Sequence, residues 1–295
     1  MFFLITSYLF LLGAVVGSFL NVVATRWGTR SFVIGRSSCP HCSRILGALE
    51  LIPLVSYIIQ RGRCKACNGS LSLQYPAVEL LTGVVFAGVF AVLMPTLALL
   101  DMALLVLYLV IACVLIIITL YDLKHLIIPD ELVFTFIALT TPLLFIDTAT
   151  MTLSMPSLLH VLAGPALFAP FFALWLYSKG EWIGLGDGKL AWGIGWMLGM
   201  YAGVSAVIFA FWIGAAVALL LMAVQRMRVG REKLTDERDM PLDAVLATDL
   251  SDTASHLTMK SEIPFGPFLI IGTALVFVTG WTLETVILFF ASRMW

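Results

Sequence analysis

The stretch MALLVLYLVIACVLIIITLY runs from Met102 to Tyr121, and none of its 20 residues is charged. A helix needs about 20 mostly apolar residues to cross the hydrocarbon core of a bilayer. The apolar residues follow one another without the alternation of a membrane β-barrel strand. This stretch therefore predicts a membrane-spanning helix.

The composition of the whole chain agrees with that stretch. The 295 residues are 61% hydrophobic and 12% charged, with a mean hydropathy of +1.03. A soluble globular protein is about 25% charged, so the composition excludes a soluble enzyme and a disordered protein. A formal net charge of −1 argues against binding to nucleic acid. We expect a multi-pass membrane protein.

Further uncharged or nearly uncharged runs predict the remaining spans. They are Met1–Thr25, Leu80–Leu100, Leu132–Ile146, Thr148–Ser178, Leu190–Gln225 and Ile263–Leu283. The run Leu190–Gln225 is too long for one span, and its glycines Gly195, Gly199 and Gly203 suit a tight hairpin between two helices. The predicted fold is an all-α polytopic membrane protein with about eight transmembrane helices.

Basic residues set the predicted orientation. The loops after the first, third, fifth and seventh predicted helices hold 16 of the 17 Lys and Arg residues. Cytoplasmic loops carry this excess, so these four loops are expected in the cytoplasm and both termini outside. The first helix has no basic residue before Arg26, which is unlike a cleaved signal peptide.

These features divide the chain into three parts. Residues 1–25 form the first helix, residues 26–75 a cytoplasmic zinc-binding domain, and residues 76–295 a transmembrane core. Within the core, residues 226–262 are polar and mixed in charge, and we expect a flexible cytoplasmic connector there.

Four cysteines stand in two C-x-x-C pairs, Cys39 with Cys42 and Cys64 with Cys67. Two such turns can offer four thiolates to one tetrahedral Zn²⁺. Two disulfides are the alternative, but a reducing cytoplasm disfavours them. Because sulfur would fill all four positions, the zinc is expected to be structural.

Acidic residues beside the spans are candidates for function. Asp122 closes the stretch quoted above, and Asp187 lies in Gly184-Leu-Gly186-Asp-Gly-Lys189. The predicted topology puts both on the same membrane face. Two neighbouring carboxylates can share one proton, as in aspartic proteases. A cation or proton site of a transporter fits the same pair about as well.

Two further acids, Asp130 and Glu131, follow Pro129 at a predicted helix start. Negative charge there complements the helix dipole, so we expect a capping role for both.

At these residues the chain resembles the bacterial type IV prepilin peptidases, which are bifunctional leader peptidases and N-methyltransferases. The resemblance covers nearly the whole chain, in ordered motifs. They are Gly17-Ser-Phe-Leu-Asn21, both C-x-x-C pairs, Ile52-Pro-Leu-Val-Ser-Tyr57, Tyr75-Pro-Ala-Val-Glu79, Asp122 with Pro129-Asp130, Gly184-x-Gly186-Asp187-x-Lys189 and Pro264-Phe-Gly-Pro-Phe268.

The resemblance implies a function and its site. Asp122 and Asp187 would be the catalytic pair, supported by Gly184, Gly186 and Lys189. The substrate would be a prepilin or pseudopilin whose short basic leader is removed after a glycine at the cytoplasmic face of the inner membrane. The new N-terminal residue would be methylated from S-adenosyl-L-methionine, whose binding residues the motifs do not place.

Ala48-Leu-Glu-Leu51 departs from the aromatic-Asp-Asn run that the family usually has before Ile-Pro.

Two other classes of membrane protein fit the same aspartates. A presenilin-like intramembrane protease shares the Tyr-Asp and Gly-x-Gly-Asp pair, and an ion-coupled transporter could use the same aspartates.

Overall fold

The computed structural model describes residues 1–28, 37–39, 41–96, 98–147, 152–239 and 264–292, and within these the fold is mainly helical, with one pair of short strands and two isolated β-bridges. The helices are α1 (Phe2–Arg26), α2 (Val55–Ile59), α3 (Gln74–Leu93), α4 (Leu99–His125), α5 (Asp130–Thr140), α6 (Leu158–Ser178), α7 (Leu185–Leu198), α8 (Met200–Asp239), α9 (Gly266–Thr279) and α10 (Leu283–Ala291). Two 3₁₀ helices, Ala48–Leu51 and Thr141–Phe145, and the antiparallel strands β1 (Ile146–Asp147) and β2 (Thr152–Leu153) complete the described elements.

Five described helices are long and apolar enough to cross a membrane. They are α1, α3, α4, α6 and the first 28 residues of α8. The α4 helix contains the stretch Met102–Tyr121 and is the most buried of the five. Helix α9 is a shorter apolar helix, and the short helices α5, α7 and α9 pack against the long ones. The expectation of a mostly helical protein with several helices able to span a membrane is confirmed.

Close backbone contacts join α1 to α3. A Cβ atom on Gly13 would lie 2.7 Å from the Thr82 carbonyl oxygen, and one on Gly83 would lie 2.9 Å from the Phe10 carbonyl oxygen. Thr82 is fully buried, and its hydroxyl donates to the Val78 carbonyl at 2.7 Å. Small residues thus bring these two helices together, as is typical within membranes.

Helix α6 contains Pro165, which cannot donate a hydrogen bond to the carbonyl of Val161 one turn earlier. The indole N–H of Trp196 in α7 donates to that carbonyl at 3.0 Å. In return, the His160 ring of α6 contacts the Trp196 carbonyl at 3.0 Å, near the C-terminal end of α7. These reciprocal contacts fasten α6 to α7.

The predicted hairpin within Leu190–Gln225 is confirmed. Helix α7 ends at Leu198, Gly199 has φ +81°, and α8 begins at Met200. Gly203 lies against Gly195, so the chain turns back on itself.

The expectation of a flexible connector from residue 226 is wrong over residues 226–239, where α8 continues. That segment is rich in Arg, Glu and Lys, which favour helix, and proline first occurs at Pro241. Residues 240–262 of the predicted connector lie outside the described residues.

Candidate active site

Two aspartates from different helices line one cavity. Asp122 lies in the last turn of α4, and Asp187 lies in the first turn of α7. They are 3% and 8% exposed. The cavity has a volume of about 400 Å³, and segments 126–128, 180–186 and 264–265 complete its wall. The fold thus brings together the two aspartates that the sequence singled out.

Each aspartate has one buried oxygen without a hydrogen-bond partner among the described residues. These atoms are Asp122 Oδ2 and Asp187 Oδ1. Buried polar atoms in folded proteins nearly always have partners, so an exception calls for an explanation. The two oxygens remain available to a molecule that enters the cavity.

Glycines set how closely the backbone approaches this pair. A Cβ atom on Gly266, the first residue of α9, would lie 2.6 Å from Asp122 Oδ2. One on Gly186 would lie 3.0 Å from Ile128 Cβ. Gly184 is different, because a Cβ atom there would be 3.6 Å from Asp187 Oδ2, an ordinary contact. Packing therefore requires glycine at 266 and 186 more than at 184.

Lys189 joins α7, the helix that carries Asp187, to the first turn of α5. Its Nζ lies 2.7 Å from Asp130 Oδ1 and 5.2 Å from the centre of the Phe134 ring. Helix α5 begins at Asp130, and Asp130 and Glu131 lie in its first turn as expected. The N-cap residue is Pro129, and Glu131 Oε2 accepts the indole N–H of Trp27 at 3.3 Å.

The four cysteines of the two C-x-x-C pairs form a second cluster. All four Sγ atoms lie within 4.8 Å of one another. The Cys39–Cys67 and Cys42–Cys64 sulfur distances are 3.8 and 4.0 Å, and all four thiols are free. A tetrahedral Zn²⁺ with Zn–S bonds of about 2.3 Å separates its sulfurs by about 3.8 Å, so the cluster fits zinc.

The two cysteine turns have the same backbone geometry. The N–H of Ser43 donates to the Cys39 carbonyl, and the N–H of Asn68 donates to the Cys64 carbonyl, both at 2.9 Å. Ser43 and Asn68 have φ values of +56° and +57°. Hydrogen bonds from backbone N–H groups, foremost that of Cys67, lower the pKa of the Cys64 thiol to about 6. A thiolate is the form that binds metal.

Glu79 lies outside both clusters and has an unusual partner. It is 7% exposed, in the second turn of α3, and its Oε2 accepts the N–H of Leu54 at 2.8 Å. Leu54 has φ +62° and ψ −51°, and the N–H of Val55 donates to the Pro53 carbonyl at 2.6 Å. These values describe a γ-turn of the rare, strained kind.

Sequence reasoning missed this link between Glu79 and Leu54, and it missed Ile128 between Gly186 and Gly266. The Pro264–Phe268 motif was noted, but its contact with Asp122 was not foreseen. Pro53, the second residue of Ile52-Pro-Leu, indicates a turn but does not indicate that Glu79 is its partner.

Comparison with known proteins gives the chain its family. A model described as the Bacterial Peptidase A24 N-terminal domain matches residues 11–93, and one described as the Type IV leader peptidase family matches residues 109–219. A Myxococcus xanthus protein named prepilin leader peptidase/N-methyltransferase is 35% identical over 242 residues, which are 79% of this chain and 68% of the relative. The chain belongs to the type IV leader peptidase family.

Other relatives with the same name agree. The Bacillus subtilis protein is 32% identical over 71% of this chain and 80% of the relative. The Aeromonas salmonicida protein is 30% identical over 95% of this chain and 94% of the relative. No solved structure matches the chain.

The two matching family models separate the four-cysteine cluster from the aspartate pair. The four cysteines fall within the residues matched by the N-terminal model, and both aspartates fall within those matched by the leader peptidase model. Together with the apolar helices, the family makes the chain a multi-pass membrane protein.

Proposed function

We propose that the chain is an aspartic endopeptidase that removes the leader of a prepilin or pseudopilin and then methylates the new N-terminus. Its relatives are named for both activities, and family membership makes the chain a peptidase with methyltransferase activity. The observation that supports the aspartic mechanism is the pair of buried aspartates, each with an unpartnered oxygen, on one cavity.

In this mechanism Asp122 and Asp187 share one proton. The ionised carboxylate takes a proton from water, whose oxygen attacks the carbonyl carbon of the scissile peptide bond. The protonated carboxyl donates a hydrogen bond to the carbonyl oxygen and stabilises the charge that develops there. Collapse of the tetrahedral intermediate breaks the C–N bond, and the leaving amine takes up a proton from the pair.

The location of the pair suits a substrate that spans the membrane boundary. Asp122 lies in the last turn of the long helix α4, and Asp187 lies in the first turn of the shorter helix α7, so both are near helix ends. We infer that the basic leader stays in the cytoplasm while the apolar helix of the prepilin lies in the lipid of the inner membrane. Glu181 in the cavity wall adds negative charge on the side of the leader.

The four cysteines would hold Zn²⁺, which would supply structure rather than catalysis because no ligand position stays open. S-adenosyl-L-methionine would be the methyl donor. We further propose that eight helices cross the membrane: the five long ones, α5 with its 3₁₀ extension, α7 and α9.

The test is cleavage of a prepilin by Asp122→Asn and Asp187→Asn. Asn keeps the size of Asp but cannot share the proton, so each variant should lose cleavage by a factor on the order of 10³ or more. The control is Asp101→Asn, which changes an acid at the opposite end of α4. Mass spectrometry with and without methyl donor separates cleavage from methylation. Near-normal cleavage by a folded Asp122→Asn or Asp187→Asn protein would remove that residue from the mechanism.

A further inference from the structure

The four-cysteine unit, defined as residues 37–39 and 41–73, exposes a row of large apolar side chains. Ile58 and Ile59 are 73% and 70% exposed. Residues 51–60 contain no charge, and Glu50 and Arg61 flank them. We name as the apolar surface the exposed residues Leu51, Ile52, Val55, Ile58 and Ile59. A contiguous exposed patch of this kind marks a surface that contacts something else.

The hydrogen bond between Glu79 and Leu54 sets the depth of this segment. Helix α3 has 20 residues, which is the length needed to cross about 30 Å of hydrocarbon. Glu79 is the sixth of these residues, so it lies about 7 Å below the first. Because Glu79 Oε2 is 2.8 Å from the Leu54 nitrogen, the γ-turn lies within one side-chain length of that depth.

The backbone of this segment is suited to an apolar environment. Irregular backbone at membrane depth must find internal partners for its polar groups. Pro53 has no N–H, that of Leu54 is bound to Glu79, and that of Val55 is bound to Pro53. The N–H of Ile58 donates to the Leu54 carbonyl at 3.1 Å. The turn and α2 therefore present mainly side chains to their surroundings.

The surface continues onto the outward face of α3. Leu73, Leu80 and Leu81 are exposed where α3 begins, as expected for side chains that contact lipid. Basic residues follow the apolar segment at Arg61 and Arg63, where they can meet phosphate headgroups.

We propose that the apolar surface inserts into the lipid leaflet that holds the first turns of α3, so that the four-cysteine unit is seated in the membrane rather than suspended in the cytoplasm. Lipid is the occupant because the surface shares its depth and continues the lipid-facing side of α3. Glu79 is the residue that holds the inserted turn in place. The proposal depends on the membrane placement of α3 and not on the peptidase activity.

The test uses full-length protein in vesicles of phosphatidylethanolamine and phosphatidylglycerol. The photoreactive amino acid p-benzoyl-phenylalanine replaces Ile58 in one variant and Val55 in another, so that a folding failure at one position leaves the other. The matched control replaces Lys65, which is exposed in the same unit. After irradiation, we expect at least about tenfold more lipid adduct at 58 and 55 than at 65.

Equal lipid adducts at all three positions, or none at 58 and 55, would overturn the proposal. So would crosslinks that join two copies of the chain. Adding a prepilin tests whether the substrate, rather than lipid, occupies the apolar surface. If prepilin adducts replace the lipid adducts, the surface binds substrate and not lipid. Leader cleavage measured on the same samples reports the peptidase activity separately, so the two proposals can fail independently.

Discussion

Gly266 sets how closely α9 approaches Asp122. A Cβ atom there would lie 2.6 Å from Asp122 Oδ2 and 3.0 Å from Ile128 Cδ1, so neither neighbour has room for it. Gly184 offers the matched comparison, because a Cβ atom on it would make only an ordinary contact with Asp187. Both glycines belong to motifs beside the cavity, but only Gly266 is required by packing.

We therefore predict that Gly266→Ala lowers the rate of leader cleavage by about 10²-fold, since a displacement of about 1 Å at a reacting group costs this much. Gly184→Ala should stay within a few-fold of the normal rate. The measurement is kcat for a prepilin peptide, with thermal unfolding to confirm folding. Equal losses in both variants would show that the contact with Asp122 is not what matters.

The ion pair between Lys189 and Asp130 is partly exposed, with side-chain exposures of 20% and 59%. Such pairs contribute about 0–1 kcal/mol, so Asp130→Asn should slow cleavage only about two- to fivefold. If the residues act through each other, Lys189→Met should have no further effect in an Asp130→Asn background. A double-mutant cycle on cleavage rates measures this coupling. Complete loss of cleavage in a folded Asp130→Asn protein would instead place Asp130 in the catalytic set.

At the scale of elements, the two cysteine turns form a unit that has little core of its own. Thiolate ligation to zinc can supply the folding free energy that a small unit lacks. The aspartates lie on α4 and α7, which are separate from this unit. Loss of metal should therefore loosen residues 37–73 and leave the cavity formed.

We predict that Cys64→Ser lowers bound zinc from one per chain to a small fraction, and that it impairs methylation more than cleavage. The matched control is Cys113→Ser, since Cys113 lies in α4 outside the cluster. Elemental analysis and hydrogen exchange over residues 37–73 are the measurements. Full methylation by a metal-free variant would separate this unit from the second activity.

The sequence predicted where the spans lie better than where each helix begins. The predicted span begins at Leu80, whereas α3 begins six residues earlier, at Gln74. Tyr75 and Pro76 can occupy a first helical turn, so the helix extends beyond the uncharged run. The run also continues past Leu93, where Pro95 follows the end of the helix. The γ-turn at Leu54 could not be foreseen, because its stabilising partner is 25 residues away on α3.

At the scale of the whole molecule, the sequence predicted which residues form each cluster. The two C-x-x-C pairs indicated the four cysteines, and the positions beside the predicted spans indicated the two aspartates. The shape of the cavity could not be predicted in this way. It depends on α9 packing against the end of α4 and on Ile128 filling the space between two glycines. These are contacts between distant parts of the chain, and periodicity carries no information about them.

Helix α7 provides a test of the membrane topology. Its 14 residues span about 21 Å, which is less than the hydrocarbon thickness. We predict that it nevertheless crosses, because α8 returns directly after Gly199. A β-galactosidase fusion after Gly180 should be active, and an alkaline phosphatase fusion after Gly199 should be active. Reporters on the same side at both junctions would make α7 re-entrant.

The four-cysteine unit lies between two helices, α1 and α3, that pack side by side. It follows α1 and precedes α3, which pack through Gly13, Gly17 and Gly83, and the Asn21 side chain reaches the Tyr75 carbonyl at 3.5 Å. The cost of closing a loop between fixed ends rises only with the logarithm of its length. The segment between α1 and α3 can therefore be lengthened, shortened or replaced without a change in how the two helices pack.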